Sequence, residues 1–266
     1  MRLTAGGNIC KLALSAIAIV FSLCLFIGYE AEPGIAIAYD DSDTEQFFSA
    51  ELDLITNAYL TSGEPDEQTV TQIMRQMTEN FAEQSAINED TAGWLLIPNV
   101  CYYPIMYSSI HDYYLTHDQY NSYSAQGAVF INYQCEPNFD GMLTLIHGHS
   151  MKNATMFGQL KEYLGGDFFR KNGLIMIYDG KVIRKYKPFT AVILEENNDI
   201  TAAGELSEAE RISYIESMYN RSICKMEQGE EPDLTKPAVF FSTCDYSFDQ
   251  ARLLVGAYLT EVTEVN

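Results

Sequence analysis

Positive charge is scarce in this 266-residue chain: 16 Lys and Arg stand against 37 Asp and Glu, a formal net charge of −21. Neutralising phosphates takes clustered basic side chains, so nucleic-acid binding is disfavoured. The same acidity repels anionic lipid headgroups, which leaves a hydrophobic segment as the route to a membrane. The sequence has no low-complexity tract, no repeat at solenoid or propeller spacing and no Cys-x-x-Cys pair. A structural zinc site is therefore not expected. Histidine is limited to His111, His117, His147 and His149. What the chain does have is apolar content, 47% with 12% aromatic, enough for one sizeable core plus an appendage.

Leu12 to Gly28 is an uncharged apolar run, preceded by Arg2 and Lys11 and followed by Glu30, Glu32, Asp40 and Asp41. Positive before and negative after orients such a segment with its N-terminus inside and the rest outside. Its length lies at the lower edge for a membrane span. The rival reading is a cleaved signal, since Ala36-Ile37-Ala38 fits a small-x-small site. Both readings export the remainder. Residues 1–28 thus read as anchor or signal, and 29–42, with Pro33 and Gly34, as a linker. Cys101, Cys135, Cys224 and Cys244 then lie outside, at spacings that match no compact disulfide framework; a Cys101–Cys135 pair stays open.

Helical periodicity marks 43–59 (Phe47, Phe48, Leu52, Ile55, Tyr59). It resumes from Asp66 with Val70, Ile73, Met74, Met77 and Phe81, so that 43–90 reads as a helical appendage. From Gly93 the pattern changes to short β runs: 94–97, 103–106, 128–132, 142–147, 174–178, 182–188, 190–195, 238–243 and 253–262. Such a series predicts a closed barrel rather than alternating βαβ units. Two helices are expected within it, over 156–164 and over 207–223, the second opened by Ser207 and Glu210 as a capping box.

Three strand ends carry reactive groups. Phe240-Phe241-Ser242-Thr243-Cys244 is an apolar run ending in a thiol, and Arg252 opens another run eight residues later. If these strands are antiparallel neighbours, the guanidinium lies beside the sulfur, where it favours the thiolate and can stabilise an oxyanion during acyl transfer. Leu145-Ile146-His147-Gly148-His149 also ends in a turn, and a histidine past that glycine can face Cys244 across a groove and move protons. Ordinary thiol and imidazole pKa values, about 8.5 and 6.5, leave most unlinked pairs neutral near pH 7, so the cation matters. His-x-His as half a metal site is the weaker alternative, because no carboxylate or cysteine completes it.

These pieces resemble the class B sortases. The segment 147–160 (HGHSMKNATMFGQL), Ser242-Thr243-Cys244 and the arginine eight residues on match the family's signatures. They are supported by 93–98 (GWLLIP), 103–105 (YPI), 112–118 (DYYLTHD) and 127–133 (GAVFINY), in the right order over about 91–262. The resemblance implies a mainly β fold, an eight-stranded sortase barrel over 91–266 with two N-terminal helices and a helix between late strands. It implies Cys244 as nucleophile, His149 as acid/base and Arg252 as the oxyanion-side cation, with Ser242 and Thr243 as candidate substrate-binding hydroxyls, and neither metal nor cofactor. The implied reaction cuts a C-terminal sorting signal of the Asn-Pro-x-Thr type after Thr through a thioacyl-enzyme. A peptidoglycan-precursor amine or a pilin lysine then takes the acyl group. The implied place is the membrane of a Gram-positive cell, single-pass, with the catalytic domain outside. Phe240-Phe241 departs from the family's common Thr-Leu, and the turn after Pro98 is one residue short.

Other classes stay in view. An L,D-transpeptidase would place its cysteine in a Ser-x-Gly-Cys-x-Arg run, and a papain-like protease would place it at an early helix start. A non-catalytic surface or pilus-associated binding module would keep the barrel without needing Cys244, His149 and Arg252 together.

Overall fold

The computed structural model describes residues 67–195, 206–224, 226, 230–244 and 251–265. Within them lie a long helix α1 (Glu67–Ile87), strands β1 (Thr91–Ile97), β2 (Cys101–Met106), β3 (Val129–Ile131) and β4 (Leu143–His147), and a short helix α2 (Gly166–Lys171). Then follow β5 (Ile175–Tyr178), β6 (Val182–Glu195), helix α3 (Glu208–Asn220), β7 (Ala238–Cys244) and β8 (Ala251–Glu264). The expected helix over 43–59 and the apolar run over 12–28 fall outside the described residues. Among the described residues, no helix is long and apolar enough to cross a membrane.

The eight strands close into a barrel in the order β1-β2-β3-β4-β7-β8-β6-β5. All neighbours are antiparallel except β2–β3 and β4–β7, which are parallel. Alternation along the strands explains the unbroken apolar runs, since successive side chains point to opposite faces. Leu95 and Ile97 of β1 join the main barrel core with Ile105, Ile175 and Ile177. Trp94 and Leu96 face outward, with Tyr102, Met176 and Ile183, onto Ile73 and Met77 of α1. The stripe on α1 therefore covers one wall of the barrel. Two amides on the same helix reach across: Asn80 Nδ2 donates to the Tyr102 hydroxyl at 3.1 Å, and Gln84 Nε2 to the Gln119 carbonyl at 2.7 Å.

Two expectations need correcting. The runs 182–188 and 190–195 form one strand, β6, whose pairing with β8 shifts at Lys185/Tyr186 and Pro188/Thr190. Pro188 has no N–H for the ladder, so the strand is offset there but not ended. The segment 156–164 is helical only in its last part, a 3₁₀ turn over Leu160–Leu164. Ala154 (φ 70°) and Met156 (φ 51°) are left-handed and cannot sit in a helix. A Cβ on Gly158 would come within 2.3 Å of the Met151 carbonyl, so the chain folds tightly back on itself here. By contrast, α3 begins as expected. Ser207 accepts from the Glu210 N–H, and the Glu210 side chain returns to the Ser207 N–H, closing the capping box.

Candidate active site

β4 and β7 are parallel, so both deliver their C-terminal ends to the same edge of the barrel. His147 is level with Ser242, and the Gly148 N–H continues the ladder by donating to the Ser242 carbonyl at 3.2 Å. His149 is the next residue on one side, and Thr243 and Cys244 complete the other. β8 starts at that edge and runs back antiparallel to β7, with Cys244 level with Arg252. The eight-residue separation thus becomes cross-strand adjacency. The Arg252 Nη1–H donates to Cys244 Sγ at 2.8 Å. Cys244 is half-buried, whereas Cys101, Cys135 and Cys224 are buried, and all four are free thiols.

His149 is held from two sides. Phe157 donates its N–H to the His149 carbonyl at 3.0 Å, and its ring packs so closely on Gly148 that a Cβ there would meet it at 2.7 Å. Only glycine allows that approach. The Phe157 ring also meets Phe241 of β7 edge-on, centroids 5.9 Å apart, tying the histidine turn to the cysteine strand. On the imidazole itself, Nε2 lies 3.0 Å from the Leu115 carbonyl. Leu115 ends a 3₁₀ turn, Tyr113–Leu115, in the loop between β2 and β3.

His147, the other member of His-x-His, is a different kind of residue. Its Nε2 is 3.2 Å from Asn132 Nδ2, and its ring lies 5.2 Å from that of Phe130. Burial first, then the positive charge of Arg252 and of His111, push its pKa down to about 4. The ring is neutral near neutral pH and already engaged. Among the described residues no group of three or more His, Cys, Asp or Glu gathers to hold a metal ion.

Ser242 and Thr243 are both buried, 5% and 3% exposed. Strand alternation places Ser242 on the Cys244 face of β7 and Thr243 on the opposite face with Phe241. The Thr243 hydroxyl has no hydrogen-bond partner among the described residues. Cys244, Arg252 and the turn bearing His149 thus meet at one barrel edge. The residue that sequence reasoning missed as a participant is Leu115. Its contribution is a main-chain carbonyl, for which no side-chain pattern could signal.

No family model matches the chain. Among curated proteins, Sortase B of Listeria monocytogenes is 33% identical over 103 residues, 38% of this chain and 42% of that protein. Sortase B of Staphylococcus aureus is 26% identical over 195 residues, 69% of this chain and 75% of that one. The chain therefore matches less than half the length of the Listeria relative and three quarters of the Staphylococcus one. Among solved structures, a Staphylococcus aureus sortase B–substrate complex is similar with a TM-score of 0.66 at 17% identity, over 84% of this chain and 98% of that one. Sortase B of Clostridium perfringens aligns over 68% of this chain and 99% of its own, at 24% identity and a TM-score of 0.60. The closed eight-stranded barrel is that of the sortase B structures. The chain is thus similar to the class B sortases in sequence and in fold.

Proposed function

We propose that the chain is a sortase that cleaves a C-terminal sorting signal after Thr and transfers the new carboxyl end to an amine, with Cys244, His149 and Arg252 as its catalytic residues. The observation that carries this reading is the 2.8 Å contact from Arg252 Nη1 to Cys244 Sγ at the barrel edge from which His149 also emerges. A thiolate formed at this sulfur has a permanent cation beside it to balance its charge. It attacks the Thr carbonyl carbon, and the carbonyl electrons move onto oxygen, where the guanidinium stabilises the oxyanion. As the tetrahedral intermediate collapses, the C–N bond breaks and protonated His149 gives its proton to the departing amine. The thioester is then attacked by an incoming amine, His149 removes that amine's proton, and the thiolate is regenerated with an amide formed.

A sortase B structure of 18% identity and TM-score 0.62 is complexed with triglycine. An N-terminal glycine amine is thus a fitting acceptor chemistry, as is the amine of a peptidoglycan precursor or a pilin lysine. The substrates are surface proteins ending in an Asn-Pro-x-Thr type signal, with Ser242 and Thr243 as further substrate-binding candidates. Residues 12–28 would hold the enzyme at the membrane of a Gram-positive cell, with 91–266 as catalytic domain outside.

The test is to incubate the full-length protein with an Asn-Pro-x-Thr peptide and triglycine, following cleavage and ligation by mass spectrometry. A thioacyl adduct on Cys244 is expected, and Cys244→Ala should abolish both cleavage and adduct. The pH–rate profile should carry two ionisations, one from the thiol and one from the imidazole. A Cys244→Ala variant that still cleaves the peptide would overturn the assignment.

A further inference from the structure

We propose that the main-chain carbonyl of Leu115 is the orienting group for His149, fixing the Nε2–H tautomer and leaving Nδ1 as the nitrogen that exchanges protons. The inference rests on the acid/base role given to His149 above. A carbonyl can only accept, so the 3.0 Å contact with Nε2 places the ring proton there. A neutral imidazole has one N–H, and Nδ1 is then the unprotonated, basic nitrogen. In catalytic triads a carboxylate does this work on the far nitrogen of the histidine. Here a neutral dipole does it, selecting tautomer and ring orientation without adding a negative charge beside the Cys244–Arg252 pair.

The turn that presents this carbonyl is built to hold it still. The carbonyls on either side of it are consumed within the loop. That of Tyr113 accepts from the Thr116 N–H at 3.4 Å and lies 2.9 Å from His117 Nδ1. That of Tyr114 accepts from the Ala128 N–H at 2.9 Å, and that of Thr116 from the Ser124 N–H at 2.9 Å. The Leu115 carbonyl is turned instead to His149. Tyr114 pegs the turn to the end of α1: its hydroxyl donates to Asp90 Oδ2 at 2.7 Å and accepts from Asn88 Nδ2 at 3.1 Å. Gly127, at φ +60°, closes the loop beneath. A Cβ there would lie 2.4 Å from the Tyr114 oxygen and 2.8 Å from the Leu115 oxygen. Both the left-handed backbone and the missing Cβ are needed for the carbonyl to keep its aim.

His147 supplies an internal contrast. The Gln134 N–H donates to Asn132 Oδ1 at 3.0 Å, which fixes the amide so that its Nδ2 faces the His147 ring. Nδ2 donates to His147 Nε2 at 3.2 Å, so that nitrogen is the acceptor and the proton sits on Nδ1. Two histidines separated by one glycine are therefore held as opposite tautomers.

Long-range ¹⁵N–¹H correlation spectra of the histidine-labelled full-length protein read this directly, at about pH 8, above the ordinary imidazole pKa of about 6.5. His149→Gln identifies the resonances. The expected result is Nε2–H for His149 and Nδ1–H for His147; finding His149 as Nδ1–H overturns the proposal. In a second arm, Gly127→Ala pushes a methyl against the Leu115 carbonyl. His149 should then show a mixture of tautomers and kcat should fall about tenfold with KM little changed, since positioned acid/base groups contribute about 10²–10⁴-fold. A folded Gly127→Ala protein with unchanged tautomer and kcat also overturns it. The tautomer readout needs no substrate. A mistaken acid/base role would instead appear as an active His149→Gln variant, so the two failures are distinguishable.

Discussion

Acidification is expected to weaken the fold through His147, a residue outside the proposed chemistry. Its imidazole rests against Phe130 and takes a hydrogen bond from Asn132, and its pKa is held at about 4 by burial and by the charges of Arg252 and His111. In the unfolded chain the same ring titrates near 6.5. As pH falls from about 6.5 to about 4 the unfolded chain takes up a proton that the folded chain refuses. A depressed folded-state pKa gives a stabilising contribution that is complete above the unfolded value and is lost as pH drops toward the folded one. The separation is about 2.5 units, and at about 1.4 kcal/mol per unit it corresponds to an upper bound of roughly 3.5 kcal/mol. The ring is not wholly sealed from water, so about 2 kcal/mol is the working expectation. Urea unfolding of the protein and of His147→Gln, compared between about pH 7 and about pH 4.5, isolates this residue because the carboxylate titrations are common to both. The stability advantage of the parent over the variant should shrink by about 2 kcal/mol across that range. An advantage that stays constant would refute the argument.

Two further outcomes follow from burial. Among Cys101, Cys135, Cys224 and Cys244, alkylation of the folded protein should modify Cys244 first. Desolvation raises the thiol pKa of Cys101, Cys135 and Cys224, which are at most 7% exposed, and peptide mapping would expose any of them that reacts as fast. Arg184 is 8% exposed and pairs with Asp179 and, at 2.7 Å, with Asp140. Arg184→Met should cost about 3 kcal/mol in chemical denaturation by stranding the nearly buried Asp179, and adding Asp179→Asn should recover much of the loss.

How much of this was legible in the residues differs from element to element. Cys244 and Arg252 could be brought together on paper, because two β runs joined by a short loop pair antiparallel by default, and the observed register puts them level. The stripe on α1 and the capping box at Ser207 were equally local, written within a few turns of helix. The 3₁₀ turn over Leu160–Leu164 was misjudged in length because apolar spacing carries no trace of the left-handed residues Ala154 and Met156. The split of β6 into two runs failed for a similar reason: a proline interrupts one hydrogen bond without ending the strand.

The sequence alone determined the inventory: a late strand ending in a thiol, an arginine eight residues on, a histidine past a glycine at another strand end, and β runs enough for a barrel. Periodicity and short-range spacing encode such features because they depend on neighbours in the chain. Tertiary structure decided the rest, because those contacts join residues far apart in sequence. β4 lies parallel to β7 across some ninety residues, and that pairing puts His149 at the edge occupied by Cys244. Burial left Cys244 partly open and closed off Cys101, Cys135 and Cys224, and the fold gave His147 and His149 different partners, the Asn132 amide for one and the Leu115 carbonyl for the other. A main-chain carbonyl, identical at every residue until the fold aims it, came to rest on His149.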